Sequence, residues 1–414
     1  MKICILIGSA DISGGTAVIF EHALRLAEQG HDVVLLPHFP LENVTPGWHR
    51  GLDDLRFVGW EEARRTEFDL ALATWWRTVY DLPRLRARRH AYFVQSIESR
   101  FYPETERSLR RLVDATYTFG LPAITEARWI RDWLGALGND HVFLVPNGCD
   151  KRVFQPYGPC ISPRDPGRLR VLVEGALGVD FKNVARTIAL LRRSVADEIW
   201  LMTPSPVSRY PGVHRVFSRV PLAKTAQIYR SCDLLVKLST VEGMFGPPLE
   251  MFHCGGTAIV WDVSGHEEYV ENDKNAIVVP LGDEEGVLRA IARLKNKPRL
   301  LRNLKEGALA TAAAWLDWPQ TSALFDGALR DILRLPGCPT REELEERTAG
   351  AMLMHVRERE VLRSFFARVR GGLLKWGSNI CRKVPPLNGA LLLAHALIIE
   401  ERRSCVRPMK RTAT

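Results

Sequence analysis

Two glutamates, Glu242 and Glu250, stand eight positions apart in the segment 242–250, which reads EGMFGPPLE. The glycines predict a loop, and the second glutamate falls inside the helix that follows. Backbone N–H groups at the start of such a helix can bind phosphate oxygens. A carboxylate on the loop can bind sugar hydroxyls, and one further along can accept both hydroxyls of a ribose. The spacing alone also fits an ordinary strand-to-helix turn with two solvated glutamates.

The first 36 residues predict the kind of fold that holds such a loop. Residues 2–7 are an apolar strand, 9–15 a polar loop with glycines, 16–29 an amphipathic helix and 32–36 a second strand. Elements of this length form a βαβ unit with parallel strands and a right-handed crossover. Four further strands are predicted in this half of the chain, at 70–74, 91–94, 116–119 and 142–145.

A linker and a second α/β domain are predicted next. Residues 155–168 contain six prolines and glycines, a density that is typical of a linker. Strands and helices then alternate again up to about residue 335. We therefore predict an N-terminal domain over 1–155 and a C-terminal domain over 165–335, both doubly wound and Rossmann-like. A ligand is expected in the cleft between them, at the carboxyl ends of the strands.

The loop of the two glutamates resembles the E-x7-E signature of the family-four retaining glycosyltransferases, which have the GT-B fold. Residues 249–256, LEMFHCGG, resemble the family stretch LEAMACG, and residues 145–156 resemble PNGVDxxxFxP at the domain junction. Near the start, Gly14 and Gly15 with residues 30–33, GHDV, resemble GG…GHxV. The resemblance extends over about residues 1–335 and implies that Glu242 and Glu250 do more than occupy a turn.

The resemblance implies roles for the matched positions on the donor side. Glu242 would contact the donor sugar, Glu250 the nucleotide ribose, and Lys182 the diphosphate. Backbone groups would surround the donor at four positions: Gly243, Met244, Phe245 and Gly246. The family usually has an arginine after the glycine that precedes the Lys182 loop, whereas this chain has Ala176 there. A second cation for the diphosphate is therefore missing from its expected place.

On the N-terminal side, the resemblance implies that Gly14 and Gly15 bring the backbone close to the diphosphate or the acceptor; a tight turn is the alternative. Many relatives carry a histidine near Gln95, which faces the acceptor. Gln95 is neutral and cannot act as a base, and this variant resembles some transferases of bacterial surface polysaccharides, including rhamnosyltransferases. Glu98 is expected on the acceptor side as well, with a solvated loop position as the alternative.

The resemblance implies a retaining transfer of hexosyl or rhamnosyl type from a nucleotide diphosphate sugar, without a cofactor. Negative charge develops on the leaving diphosphate, and fixed cations and helix N-termini stabilise it. The chain contains no Asp-x-Asp, so no metal is predicted at the diphosphate. In retaining relatives the donor phosphate helps to deprotonate the acceptor, which makes Gln95 compatible with activity. The expected acceptor is a glycan or a lipid-linked glycan in the synthesis of cell-surface polysaccharide.

Charge sets the end of the chain apart. The 414 residues have a formal net charge of +9, and residues 340–414 hold 15 Lys and Arg against 8 Asp and Glu. We predict a mainly helical, basic C-terminal extension over 340–414. Its segment 361–383 has six basic residues and no acidic one and is a candidate for binding an anionic membrane surface. The alternative is packing against the body as extra helices. Nucleic acid is not an expected partner because few aromatic residues interleave the charges.

Composition indicates where in the cell the protein is expected. Hydrophobic residues make up 46% and charged residues 25%, which is typical of a globular protein. The apolar run at 387–399 has 13 residues, whereas a bilayer-spanning helix needs about 20. Eight cysteines without a CxxC pair predict a reducing environment. We expect a cytoplasmic protein, either free or peripheral on the inner face of the cytoplasmic membrane.

Other functions compete with that of a glycosyltransferase. A dinucleotide-dependent oxidoreductase would need G-x-G-x-x-G after the first strand and an acid at the end of the second, and the sequence has neither. Two alternatives stay open. One is another GT-B enzyme, such as a nucleotide-sugar epimerase. The other is a nucleotide-sugar-binding relative with decayed activity, which Ala176 favours.

Overall fold

The first domain is built on a parallel sheet of seven strands. The computed structural model describes residues 1–41 and 44–361. The strands are β1 (Lys2–Ile7), β2 (Asp32–Pro37), β3 (Arg56–Phe57), β4 (Glu67–Ala73), β5 (Arg86–Val94), β6 (Ala123–Thr125) and β7 (Val142–Leu144). They lie in the order β3-β2-β1-β4-β5-β6-β7, and all neighbours are parallel. The predicted βαβ start of the fold is confirmed.

Helices connect these strands and cover the sheet. They are α1 (Gly14–Glu28), α2 (Gly51–Asp54), α3 (Trp60–Arg65), α4 (Trp76–Asp81), α5 (Arg107–Ala115) and α6 (Arg128–Ala136). Helix α1 begins where the Ser13 hydroxyl accepts the N–H of Thr16, which is a typical N-cap. Strand β1 is buried from Ile3 to Ile7, as expected for a parallel strand that is covered on both faces.

The second domain repeats this arrangement. Its strands are β8 (Arg170–Glu174), β9 (Glu198–Thr203), β10 (Arg215–Ser218), β11 (Leu234–Lys237), β12 (Thr257–Trp261) and β13 (Ile277–Val279). They form a parallel sheet in the order β10-β9-β8-β11-β12-β13. Its helices are α7 (Val184–Leu191), α8 (Leu222–Ser231), α9 (Gly246–His253), α10 (Glu284–Asn296) and α11 (Pro298–Ala314). The strand order matches that of β1 to β6. In each sheet the order of the strands reverses beside the first strand, which is where open α/β sheets bind ligands.

One helix at the end of the second domain packs on the first. Helix α12 (Trp318–Arg334) buries Phe325 against Phe93, with ring centroids 5.4 Å apart. The Asp326 carboxylate lies 2.8 Å from Nε2 of His31, next to β2. Residues 1–351 consequently form one compact unit. The doubly wound α/β fold is confirmed, and the exact domain bounds 1–155 and 165–335 stay predictions.

The predicted strand at 116–119 is wrong. Residues Thr116–Thr118 form a 3-10 turn that follows α5, and the Thr116 hydroxyl donates to the carbonyl of Val113 in that helix. Gly120 then turns the chain with a φ of +70°, and the strand comes afterwards as β6. The β-branched and aromatic residues at 116–119 serve burial in a turn, which periodicity does not separate from a short strand.

Residues 341–361 are helical, and the first part of this segment packs on the first domain. Leu344 is buried in a core cluster with residues of the first sheet, and Arg341 donates to the carbonyl of Pro83 at 2.7 Å. Extra packed helices were one prediction for the extension, and 341–351 follow it. The segment 361–383 lies outside the described residues except for Val361, so its membrane role stays a prediction. Across 1–41 and 44–361, no helix has the length and apolar character to cross a bilayer.

Candidate functional site

Lys182 and Glu242, which lie 60 residues apart in the chain, form an ion pair at the carboxyl edge of the second sheet. Nζ of Lys182 lies 2.9 Å from Oε1 and 2.7 Å from Oε2 of Glu242. Glu242 is buried, whereas the lysine side chain keeps 26% of its surface exposed. The structure therefore brings together the two residues that the resemblance assigns to the donor sugar and the diphosphate.

The loop after β8 places Lys182 by backbone hydrogen bonds. Residues Asp180–Lys182 form a 3-10 turn, and the Phe181 carbonyl accepts the N–H of Thr240 at 2.8 Å. The Asn183 amide donates to the carbonyl of Leu238 at 3.1 Å. These bonds tie the turn to the chain that leads from β11 to Glu242. The lysine and the glutamate are consequently held by one hydrogen-bonded pair of loops.

A second cation, Lys237, stands at the end of β11. Its Nζ lies 2.6 Å from the Glu174 carboxylate and 3.7 Å from that of Glu242, and its side chain is only 2% exposed. Burial lowers the pKa of Lys237, but the two carboxylates outweigh it and the pKa is raised. Sequence reasoning missed this residue. A lysine in the otherwise apolar strand LLVK was the available signal, because buried charges are almost always paired.

Negative and positive side chains alternate in a series of ion pairs, in the order Glu174, Lys237, Glu242, Lys182. Burial by itself raises the pKa of Glu242, but the positive charges of Lys182 and Lys237 outweigh it, so the pKa is lowered. The carboxylate is therefore ionised and held between two ammonium groups. Since Ala176 replaces the expected arginine, Lys237 is the nearby buried cation that the structure provides.

Glu250 has a different environment. It lies in α9, where burial raises its pKa to about 7, and the Glu174 carboxylate contributes in the same direction while Tyr229 opposes it. The neighbouring residues Met251 and Phe252 point into the core. The helix thus presents Glu250 at the site with less cationic compensation than Glu242 has. Its role at a ribose stays a prediction.

The loop of the second domain touches the first domain at Gln95. A Cβ added to Gly243 would come 1.8 Å from the Gln95 carbonyl oxygen, and one added to Gly15 would come 3.1 Å from its side chain. Gln95 therefore lies between two of the predicted glycines. A Cβ on Gly14 would meet nothing within 4 Å. Gln95 and the loop 242–246, which we call the donor loop after its predicted role, are thus neighbours across the cleft.

Two of the four predicted backbone amides are already bonded within the protein. The N–H of Met244 donates to Glu126 at 3.0 Å, and the N–H of Gly246 donates to the carbonyl of Met244 at 3.0 Å. Phe245 is buried, and its carbonyl accepts the Tyr269 hydroxyl. The loop is consequently rigid. The contacts of these four residues with a donor stay predictions.

Glu126 is a second residue that sequence reasoning missed. Its carboxylate accepts the N–H of Met244 and, at 2.7 Å, the side-chain amide of Asn147. Burial raises the pKa of Glu126 to about 7, with Asn147 and Met244 opposing that rise. The signal was an acid directly after the buried strand β6, at the carboxyl edge of a parallel sheet. Glu126 joins the first domain, the domain junction and the donor loop.

Glu98, predicted on the acceptor side, points into the first domain. Its carboxylate accepts the N–H of Trp76 at 2.7 Å and the hydroxyl of Tyr92 at 2.9 Å. Burial raises its pKa to about 8, although both hydrogen bonds act in the opposite direction. The side chain is buried and is therefore not a solvated loop residue. A contact with the acceptor stays a prediction.

Two sequence comparisons relate this chain to known proteins. Residues 210–310 match the protein family described as "Glycosyl transferases group 1". The O-antigen biosynthesis protein RfbC of Myxococcus xanthus is 26% identical over 220 residues, which make up 51% of this chain and 17% of that protein. This chain thus spans less than a fifth of the length of that relative.

Solved structures show the fold. Anabaena HepE in complex with UDP-glucose superposes with a TM-score of 0.65 at 14% identity, covering 80% of this chain and 100% of that one. Sucrose-phosphate synthase from Thermosynechococcus elongatus has a TM-score of 0.64 at 15% identity, covering 81% and 99%. Residues 210–310, which hold Glu242 and Glu250, match the group 1 glycosyl transferases, and the chain has the GT-B fold.

Proposed function

We propose that this protein is a retaining glycosyltransferase. It moves a hexosyl or rhamnosyl group from a nucleotide diphosphate sugar to a glycan or lipid-linked acceptor in cell-surface polysaccharide synthesis. The observation that carries the proposal is the ion pair of Lys182 with Glu242, inside a GT-B cleft and beside the loop of the matched family segment. The O-antigen biosynthesis relative supports the polysaccharide context.

The partly exposed Lys182 is the group that meets the leaving diphosphate. A flexible ammonium can move from the Glu242 carboxylate to a phosphate oxygen, where it stabilises the charge that develops as the glycosidic bond breaks. The buried Lys237 cannot follow, and it keeps Glu242 ionised while Lys182 is engaged. Glu242 then accepts hydroxyls of the donor sugar, and Glu250 accepts those of the ribose.

The acceptor needs no strong protein base in this scheme. Gln95 is neutral, and its contacts place it between Gly15 and Gly243. The donor phosphate takes the acceptor proton on the same face from which it leaves, which retains the anomeric configuration. The Lys182 side chain and backbone groups stabilise the diphosphate, so we propose that the transfer does not depend on a metal ion.

Thermal shift in EDTA tests the donor site. UDP and UDP-glucose come first in the panel, since HepE was solved with UDP and with UDP-glucose, followed by other nucleoside diphosphates and their sugars. A ligand at a hundred times its Kd should stabilise the fold by about 2.7 kcal/mol. At least one nucleotide is expected to raise Tm, and the enzyme is expected to consume the corresponding nucleotide sugar. If no nucleotide raises Tm, the proposal is wrong.

Ala176 gives one competing function a specific basis. Loss of the family arginine favours a relative that binds a nucleotide sugar but no longer transfers it. Stabilisation by a nucleotide sugar without hydrolysis or transfer would identify that case. Conversion of the bound sugar into its epimer would instead identify a nucleotide-sugar epimerase. Product analysis of the same incubations separates the three outcomes.

We also propose a cytoplasmic location, with residues 361–383 binding the anionic inner face of the membrane. Their charge supports this, since each basic residue near such a surface contributes about 1 kcal/mol. Removing residues 362–414 should release the protein from phosphatidylglycerol vesicles in a sedimentation assay, and should leave nucleotide stabilisation unchanged. Equal sedimentation of both forms would contradict the membrane role.

A further inference from the structure

Aromatic side chains lie close together where the strand order of the first sheet reverses. Gly8 directly follows β1, and Trp75 and Phe39 each stand two residues after the ends of β4 and β2. These strands are neighbours in the order β2-β1-β4. The carboxyl edge beside the first strand is the place where open α/β sheets bind ligands. In the second sheet the equivalent place holds Lys182 and Glu242.

The rings form a continuous surface. The centroids of Phe39 and Trp75 are 5.8 Å apart, at an interplanar angle of 48°. A Cβ on Gly8 would come 3.1 Å from the Trp75 indole, so a glycine lets that ring lie on the backbone. The Arg77 guanidinium lies 5.2 Å from the Trp75 centroid. We call Phe39, Trp75 and Arg77 the aromatic platform.

Packing accounts for only part of the platform. Trp75 packs against the core of the first domain, but Phe39 is 46% exposed and Arg77 is exposed as well. Trp76 provides a contrast, because it is buried and its Nε1 donates to the Tyr102 hydroxyl. The Trp75 backbone is fixed, since its N–H donates to the Thr78 hydroxyl at 3.1 Å. The Arg77 guanidinium also lies 5.0 Å from the Trp76 centroid, so it is held over the two indoles. A partly exposed aromatic surface with an exposed guanidinium suits a ligand with an apolar face and a polar rim.

The platform lies beside the donor loop. The register pairs Ala73 of β4 with Tyr92 of β5, so Trp75 and Gln95 leave neighbouring strands at the same edge. Neighbouring strands are about 4.8 Å apart, and Gln95 itself touches Gly243. The segments that leave these strands also touch, since the N–H of Trp76 donates to the Glu98 carboxylate at 2.7 Å, which places the platform next to the segment of Gln95.

We propose that the aromatic platform binds a pyranose ring of the acceptor, with the apolar C–H face of the sugar on Trp75 and Phe39 and its hydroxyls on Arg77. The inference rests on the proposed function and narrows its acceptor to a carbohydrate. A lipid chain fits less well, because the rings are bordered by the exposed Arg77 and by the polar pair of His38 with Asp81 at 2.8 Å. The acceptor-side position of Gln95 is then the end of a sugar site.

The test measures glycoside binding by saturation-transfer NMR. The probes are methyl glycosides of rhamnose, mannose, glucose and galactose, with and without UDP. W75A and F39A should weaken binding of the best probe by about tenfold, the loss expected when an anchoring aromatic is truncated. W75F, which retains a ring, should lose less. Equal affinity of W75A, F39A and the wild type would overturn the proposal, as would absence of glycoside binding by the wild type.

Trp60 provides the matched control. It is also a half-buried tryptophan with a guanidinium on its ring, that of Arg84 at 3.8 Å, but it lies in α3 and is not among the rings that contact Trp75 or Phe39. W60A should bind the probes as the wild type does; an equal loss in W60A and W75A would also overturn the proposal.

Stabilisation by nucleotides is measured on every variant. Its presence in W75A together with lost glycoside binding assigns the loss to the platform, whereas its absence in the wild type is a failure of the proposed function alone. Loss of phosphatidylglycerol binding in W75A without glycoside binding would contradict a sugar site.

Discussion

The carbonyl oxygen of Gln95 in the first domain lies so close to Gly243 in the second that an added Cβ would come within 1.8 Å of it. Contact with a backbone atom cannot be relieved by a side-chain rotation. Only glycine permits this approach, so the loop that carries Glu242 meets the first domain through its backbone. The separation of the domains at the cleft is therefore set at this position.

G243A should push the two domains apart at the loop. Overpacking of this kind typically costs about 1–3 kcal/mol, and it should appear both as lower stability and as slower turnover. Urea unfolding and the rate of sugar transfer measure the two effects. G59A is the control, since Gly59 lies outside the proposed site and a Cβ there meets nothing within 4 Å. Equal behaviour of G243A and G59A would show that the close approach is not maintained in solution.

K182A should abolish turnover while leaving most of the stability. Removal of one preorganised donor to a developing negative charge lowers kcat by about 10²–10³-fold, and nucleotide stabilisation in the thermal shift assay should weaken as well. The stability loss is smaller because Lys182 is partly exposed and Lys237 still faces Glu242. K274A removes the lysine of an exposed surface pair with Glu271 and should change neither quantity. Full activity of K182A would remove the basis of the donor site.

K237M, in contrast to K182A, should mainly lower the free energy of unfolding. Removing one partner of a buried ion pair costs about 3–5 kcal/mol, because Glu174 loses its ammonium and Glu242 keeps only Lys182. The double variant K237M/E174Q should recover part of that loss, because it removes an uncompensated charge. Urea unfolding of the two single variants and the double variant measures the coupling. Additive effects of the two substitutions would contradict a direct interaction.

E98Q should change how stability depends on pH. Burial raises the pKa of Glu98 from 4.5 to about 8, so in that window the folded chain keeps a proton that the unfolded chain releases. The free energy of unfolding therefore falls as pH rises, by up to about 1.4 kcal/mol per pH unit from this group. The stability of the wild type relative to E98Q should decline from about pH 5 to 8.

Urea unfolding at several pH values in that window gives the comparison for Glu98. E61Q is the control, because Glu61 is exposed in a surface pair with Arg65, and its stability difference from the wild type should be flat across the same range. A flat difference for E98Q would show that Glu98 titrates normally and that its carboxylate is not buried in solution.

Local patterns of the sequence determined a large part of this protein. The apolar strand at 2–7, the glycine loop and the helix behind it predicted a parallel α/β fold, because hydrophobic periodicity and turn residues act over short distances. The segment 242–250 was recognisable because the family signature is contiguous there, and Lys182 was recognisable from the short segment around it. The same short range explains the wrong strand at 116–119, where an apolar run alone did not distinguish a turn from a strand.

Only the tertiary structure decided which of these residues meet. Lys237 became part of the site because β11 lies beside β8, which places its ammonium between Glu174 and Glu242. Glu126 bonds a loop that lies 118 residues further along the chain, and Gln95 touches Gly243 across the cleft. Such contacts depend on strand order and on domain approach. Both arise from the packing of the whole chain, since a residue's own neighbours in sequence do not specify them.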